Sequence, residues 1–215
     1  MKENTRKDTK QKIFDAAVTL FARKGFHAVG IRELARVAEV NSAMLNYYFG
    51  GKIGILKEII NTAHQRHREA ITSTDEQLTP KQHINRVICN FIRFFRDNTE
   101  LALVAFDTLP YDIPEIIELK KKWGEANIQL LEKLFADIGL DINDTVQVSI
   151  FNGFLANIIL THFRGRHAWE QATHRKIHEF NDAFYEQYAE MLTRFYFNGV
   201  NGIVQHINKT PQKKT

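Results

Sequence analysis

Cysteine is almost absent from this chain: Cys89 is the only one in 215 residues. There is therefore no disulfide framework and no pair of thiolates for a metal. Cys89 stands between Ile88 and Phe91 in an apolar run, which predicts a core residue, and no second thiol is present to resolve an oxidised one. The first dozen residues are charged and polar, and no apolar run approaches the roughly 18 residues of a membrane span. No signal peptide is expected, and the expectation is a cytoplasmic protein with no membrane partner. Strand-like alternation persists nowhere, internal repeats are missing, and low complexity is confined to the lysine-rich tail. Also lacking are a nucleophile elbow, a phosphate-binding glycine loop after a strand and a Cys paired with a His. No enzyme and no cofactor is therefore expected.

What is present is a helical pattern with an uneven charge. Hydrophobic residues make up 44% of the chain, enough for a sizeable core in one or two domains. Residues 1–70 hold 13 Lys and Arg against 7 Asp and Glu, whereas residues 71–215 hold 16 against 18. The positive end includes Lys2, Arg6, Lys7, Lys10 and Lys12, a basic arm able to neutralise phosphates or, equally, a solvated terminus.

The most informative stretch runs from Gly30 to Phe49, GIRELARVAEVNSAMLNYYF. Ile31, Leu34, Ala35 and Ala38 follow the spacing of one buried helical face, leaving Arg32, Glu33 and Arg36 outside. Asn41 is suited to cap a second helix. In that helix Leu45 and Phe49 point inward and Ser42, Ala43, Asn46 and Tyr47 lie opposite. Ser and Asn can read base edges, Ala can pack on a thymine methyl, and Tyr hydroxyls bond phosphate oxygens. A corner of this kind also suits any all-helical protein, its tyrosines then serving in packing. Its neighbours favour DNA. A preceding helix, from Lys7 to Lys24, ends at Gly25 in the manner of a left-handed cap, and Gly50-Gly51-Lys52 opens a following helix with free amides and a cation suited to phosphate.

Taken together, Phe21-Ala22-Arg23-Lys24-Gly25-Phe26, Ile31-Arg32-Glu33-Leu34-Ala35, Val40-Asn41 and Leu45-Asn46-Tyr47-Tyr48-Phe49-Gly50-Gly51-Lys52 resemble the TetR family of transcriptional regulators. The resemblance covers about the first sixty residues. It implies that Arg32 reaches DNA from the start of the first helix of the corner. Ser42, Ala43, Met44 and Asn46 would face the major groove, and Tyr47, Tyr48 and Lys52 would hold the backbone. Three positions depart from the family pattern. Gly30 cannot offer a capping hydroxyl, Glu39 must accept the turn with a bulky side chain, and Asn46 stands where a tyrosine is usual, free to read a base.

The expected fold is all-α, with about nine helices: a helix-turn-helix domain over 6–66, then a helical effector-binding and dimerisation domain over 67–215. Thr79-Pro80 reads as cap and first helical residue. Helices follow over Lys81 to Asp97, Glu100 to Thr108, Glu115 to Ile138, Asp144 to Phe163 and Ile177 to Phe197, with Pro110 and Pro114 bracketing a loop. The helix from Asp144 is apolar around much of its circumference, which points to a domain centre or a shared interface. The resemblance implies a homodimer through about 144–163 and 177–198, binding a palindromic operator on double-stranded DNA. It also implies an effector pocket, for which Phe91, Phe95, Phe106, Trp123, Phe151 and Phe154 are candidates and an apolar or aromatic small molecule the occupant. The same aromatics equally suit a core.

No metal is expected. His174 and His178 are four apart and His64 and His67 three apart, yet no carboxylate-and-thiol set completes either pair, and solvated surface histidines are the simpler reading. The function read from the sequence is a DNA-binding regulator, a repressor released by its effector. The alternative is an effector-independent DNA-binding protein whose carboxy-terminal domain recruits another protein.

Overall fold

The structure, a computed structural model, describes residues 2–71, 78–173 and 180–209. Nine helices occur among them: α1 (Lys2–Lys24), α2 (Ile31–Val37), α3 (Ser42–Phe49), α4 (Lys52–Ile71), α5 (Pro80–Asp97), α6 (Thr99–Phe106), α7 (Pro114–Ile138), α8 (Thr145–Thr173) and α9 (Asp182–Lys209). The described residues contain no strand.

Helix boundaries fall where side chains satisfy open backbone groups. Thr79 and Gln82 form a reciprocal capping box: the Thr79 amide donates to Gln82 Oε1 at 2.8 Å and the Gln82 amide to Thr79 Oγ1 at 3.4 Å. Asp144 accepts from the amide and side chain of Gln147 and from the Val146 amide at the start of α8, and these bonds hold its carboxyl below the usual carboxylate range. Asn181 accepts from the Phe184 amide at the start of α9. The sequence pattern placed that start near Ile177, which lies outside the described residues. The helix expected to end at Phe163 continues through Gly165 to Thr173, because one glycine inside a helix weakens it without removing a hydrogen bond. Pro114 opens α7 instead of closing the loop, since its missing N–H costs nothing in the first turn.

The chain forms two compact units, Met1–Arg68 with Asp97–Gly124, and Glu69–Arg96 with Glu125–Thr215. A single cut near residue 66 thus omits the packing of α6 on α1. Thr19 Oγ1 donates to Glu100 Oε2 at 2.7 Å, and Arg23 lies 3.7 Å from the same carboxylate. The core of this unit holds Ile13, Ala17, Phe21, Leu34, Leu45, Ile55, Leu56, Ile59 and Ile60, all fully buried. In the other unit Ile84, Ile88, Phe95, Phe135, Phe151, Ile159 and Phe163 form the interior. The Phe163 and Tyr185 rings stack at 5.7 Å, with Arg96 over Tyr185 and its guanidinium 2.6 Å from Asp182.

By length and composition alone Thr145–Gly165 is apolar enough to cross a membrane, as the core helix of a soluble protein also is, and Gln147, Asn157 and His162 interrupt its apolar residues. Its exposed apolar residues fall on one stripe, Val146, Ile150 and Phe154, at helical spacing. Cys89 is half-buried, not enclosed; its thiol contacts Asn85 Oδ1 at 3.7 Å, and burial pushes its pKa up.

Candidate nucleic-acid interface

The turn between α2 and α3 is a Schellman motif closed by an unusual residue. The Val40 amide reaches the Ala35 carbonyl at 3.0 Å and the Glu39 amide the Arg36 carbonyl at 3.3 Å, with Glu39 itself at φ 56°. The same pair of bonds closes α7 around Gly139 at φ 78°. Glu39 therefore holds a conformation that Gly139 adopts without a Cβ penalty. Immediately after it, Asn41 Oδ1 accepts from the Ala43 amide at 2.9 Å, the N-cap predicted from sequence.

This cap sets the face that α3 exposes. Leu45 is fully buried, while Ser42, Ala43, Met44, Asn46 and Tyr47 are exposed and Tyr48 and Phe49 are half-buried. The Tyr47 and Tyr48 rings meet edge to face at 5.0 Å. Asn46 Oδ1 leans toward the turn after α3, 3.3 Å from where a Cβ on Gly51 would stand. Arg32 is exposed and has no hydrogen bond or ion pair among the described residues. Gly30 caps α2 with no side-chain bond. Ile31, expected inside, is 39% exposed, since residue 31 begins the helix and lies at its rim.

Lys52 is placed differently from its expected role at a phosphate. Its ammonium donates to the carbonyls of Phe26 and Val29 at 2.8 and 2.7 Å and sits 4.1 Å from the Phe26 ring centroid. Burial lowers its pKa. These bonds point the cation into the segment that leads into α2. In the basic arm, Lys10 pairs with Glu58 at 2.8 Å and Lys12 with Asp8 at 3.1 Å, while the side chains of Lys2, Arg6 and Lys7 lie outside the described ones.

Sequence reading missed Gly54, in the first turn of α4. A Cβ there would lie 1.6 Å from the Phe49 carbonyl oxygen, so only glycine lets α4 start this close to the end of α3. A glycine inside an apolar helical run was the available signal.

The six aromatic pocket candidates are divided. Phe106 and Trp123 belong to the amino-terminal unit, and Phe91, Phe95, Phe151 and Phe154 to the other. Phe95 is core, packed against Phe91, Phe94 and Phe163. Phe151 and Phe154 line a half-open cavity of about 150 Å³ on α8 and α9, together with Ile150, Phe195, Tyr196 and Val200. The His64 and His67 reading is corrected: the two are 3% and 8% exposed, because α4 turns that face onto Phe106. His174 and His178 lie outside the described residues, and no group of three or more potential metal ligands occurs among the described ones.

Residues 13–59 match the family described as "Bacterial regulatory proteins, tetR family". The chain is 33% identical over 114 residues to the probable HTH-type transcriptional regulator YttP of Bacillus subtilis, an alignment covering 52% of this chain and 55% of that one. It is 30% identical over 78 residues to the HTH-type transcriptional regulator BetI of Vibrio atlanticus, covering 36% and 39%. The chain thus spans about half the length of the curated relatives it matches, or less. Over nearly its whole length it shares the fold of a TetR-like transcriptional regulator from Rhodococcus, with a TM-score of 0.66, 20% identity and coverage of 90% of this chain and 96% of that one.

Proposed function

We propose that this chain, whose residues 13–59 match the tetR family of bacterial regulatory proteins, is a DNA-binding transcriptional regulator of the cytoplasm, acting as a homodimeric repressor. The observation that carries the reading is the row of exposed groups on α3, rigidly presented by the Asn41 cap and the buried Leu45. In the proposed complex Ser42, Ala43, Met44 and Asn46 meet base edges, while Arg32, Tyr47 and Tyr48 hold phosphates. Lys52 braces the reading head through the Phe26 and Val29 carbonyls.

Support for the dimer comes from α8 and α9. Val146, Ile150 and Phe154 on one and Met191 and Phe195 on the other remain exposed, Val146 at 67% and Met191 at 72%. No side-chain atom stands where Cβ atoms at Gly153 and Gly199 would, which suits close approach by a second helix pair. Two heads then read successive major grooves, roughly 34 to 36 Å apart. Effector binding weakens the operator complex, and by linkage operator lowers effector affinity by the same factor.

Selection of bound sequences from random DNA at fixed salt tests this reading. A palindrome with half-sites about one helical turn apart is the expected product. No enrichment, or an enriched site without symmetry, overturns it.

A further inference from the structure

Within the amino-terminal unit, α4, α6 and α7 assemble a group that the reading head does not use. The His64 ring stacks on Trp123 at 5.0 Å and 8°, and lies 4.8 Å from Phe106. His67, one turn further along α4, is 5.6 Å from the same phenyl ring. Lys120 Nζ stands 5.3 Å from its centroid. Trp123 is fixed in turn by its indole N–H, which donates to Asn61 Oδ1 at 2.9 Å.

Two of these groups have ring contacts but no hydrogen-bond or ion-pair partner among the described residues. Both ring nitrogens of His64 are enclosed without a hydrogen bond. The half-buried ammonium of Lys120 has no hydrogen bond or ion pair among the described residues. Burial alone lowers its pKa, with no carboxylate opposing the shift. Enclosing an unpaired cation and an unsatisfied imidazole is costly, and such groups are rarely left without a purpose.

The sign of the missing partner follows from the charges. Burial first, and the Lys120 charge second, push His64 down to about 3 and His67 to about 4, so both imidazoles are neutral near pH 7. The Lys120 charge, which adds to burial in keeping these rings unprotonated, also repels a metal cation. An anion is attracted instead, with the Lys120 ammonium and an imidazole N–H as donors.

We propose that Lys120, His64, Phe106 and Trp123 form a site for an amphiphilic organic anion, its acidic group held between the ammonium and the imidazole and its apolar body against the two aromatic rings. This rests on the regulator reading above and names the chemistry of its effector. Because the His64 nitrogens are closed to solvent, the anion reaches them by displacing Trp123 or Phe106, which ties occupancy to movement of α6 or α7. Trp123 emission therefore reports entry.

The full-length protein is titrated with octanoate, decanoate and phenylbutanoate, each beside its primary amide, following tryptophan emission and melting temperature. Carboxylates are expected to raise the melting temperature and shift the emission, with amides at least about ten-fold weaker. Lys120→Met is expected to bring carboxylate affinity down to that of the amides, and without ligand to melt no lower than the wild type, since a half-buried charge with no ion-pair partner has been removed. His64→Phe, which keeps the stack, gives a second reading of the same loss. No response to any carboxylate, amides as strong as acids, or unchanged carboxylate binding in both variants overturns the proposal. So does a ligand-free Lys120→Met protein that melts well below the wild type, which would make Lys120 structural. The outcome is separate from that of DNA selection: a palindrome recovered from a protein that ignores carboxylates removes this inference alone.

Discussion

The ammonium of Lys52 donates to the carbonyl oxygen of Val29 across 2.7 Å, so the first residue of α4 holds the backbone that leads into α2. A second bond to Phe26 and the contact with its ring make the connection three-fold. Any shift of α4 along its axis is thereby felt two residues before the reading head begins. That geometry suits a positioning role, which separates experimentally from a phosphate contact.

Lys52→Met is expected to cost about 2 kcal/mol of stability in urea denaturation, because two carbonyls lose a charged donor. Operator affinity should fall while the dependence of log K on log salt keeps its slope. A slope smaller by about one would instead assign Lys52 to a phosphate.

Gly54→Ala places a methyl group where the Phe49 carbonyl already stands. The start of α4 has to move, at a cost of about 1 to 3 kcal/mol. Circular dichroism should show helix content preserved with a lower melting temperature, and gel shifts should show weaker operator binding.

Glu39→Gly relieves the left-handed strain at φ 56°. A gain of about 0.5 to 1 kcal/mol is expected, the strain relief being partly offset by the greater freedom of glycine in the unfolded chain. The mirror experiment, Gly139→Ala, should lose about 1 kcal/mol at a motif with the same hydrogen bonds. Both are read from denaturant midpoints.

Acid should destabilise the fold through its buried histidines. His64 and His67 bind protons at about 3 and about 4 when folded, against 6.5 as the ordinary value. Between those limits the unfolded chain holds more protons, so stability rises with pH up to about 6.5 and is lost as pH falls toward 4. Denaturation at a series of pH values should show a steep loss over that window, and His64→Phe should flatten it.

Phe195→Glu places a charge on the exposed apolar stripe of α9. If the proposed dimer forms through this stripe, sedimentation should show a dimer for the wild type and a monomer for the variant, with operator affinity down by about a hundred-fold or more as the two-headed complex is lost. A dimer of undiminished strength would place the interface elsewhere.

Much of the reading head was legible because its determinants are local. The Asn41 cap, the turn at Glu39 and the inward Leu45 all depend on residues within a few positions of one another, as does the Thr79 cap at the start of α5. Helix ends were less so: the end expected at Phe163 is absorbed inside α8, and Pro114, expected to bracket a loop, opens α7. The exposure of Ile31 and half-burial of Phe49 show the same limit, since periodicity assigns a face but not how far a neighbour covers it.

By itself the sequence determined the all-helical pattern, the helix-turn-helix register and the side chains offered by α3, because caps and 3.6-residue periodicity act over short range. Only the tertiary structure decided where Lys52 points, why residue 54 is glycine and that His64 and His67 are buried. Each of those depends on a partner far along the chain or on another helix: Val29 for Lys52, the Phe49 carbonyl for Gly54, and Phe106, Lys120 and Trp123 for the histidines. No local pattern encodes such meetings, since loop closure and packing bring the partners together only when the core forms.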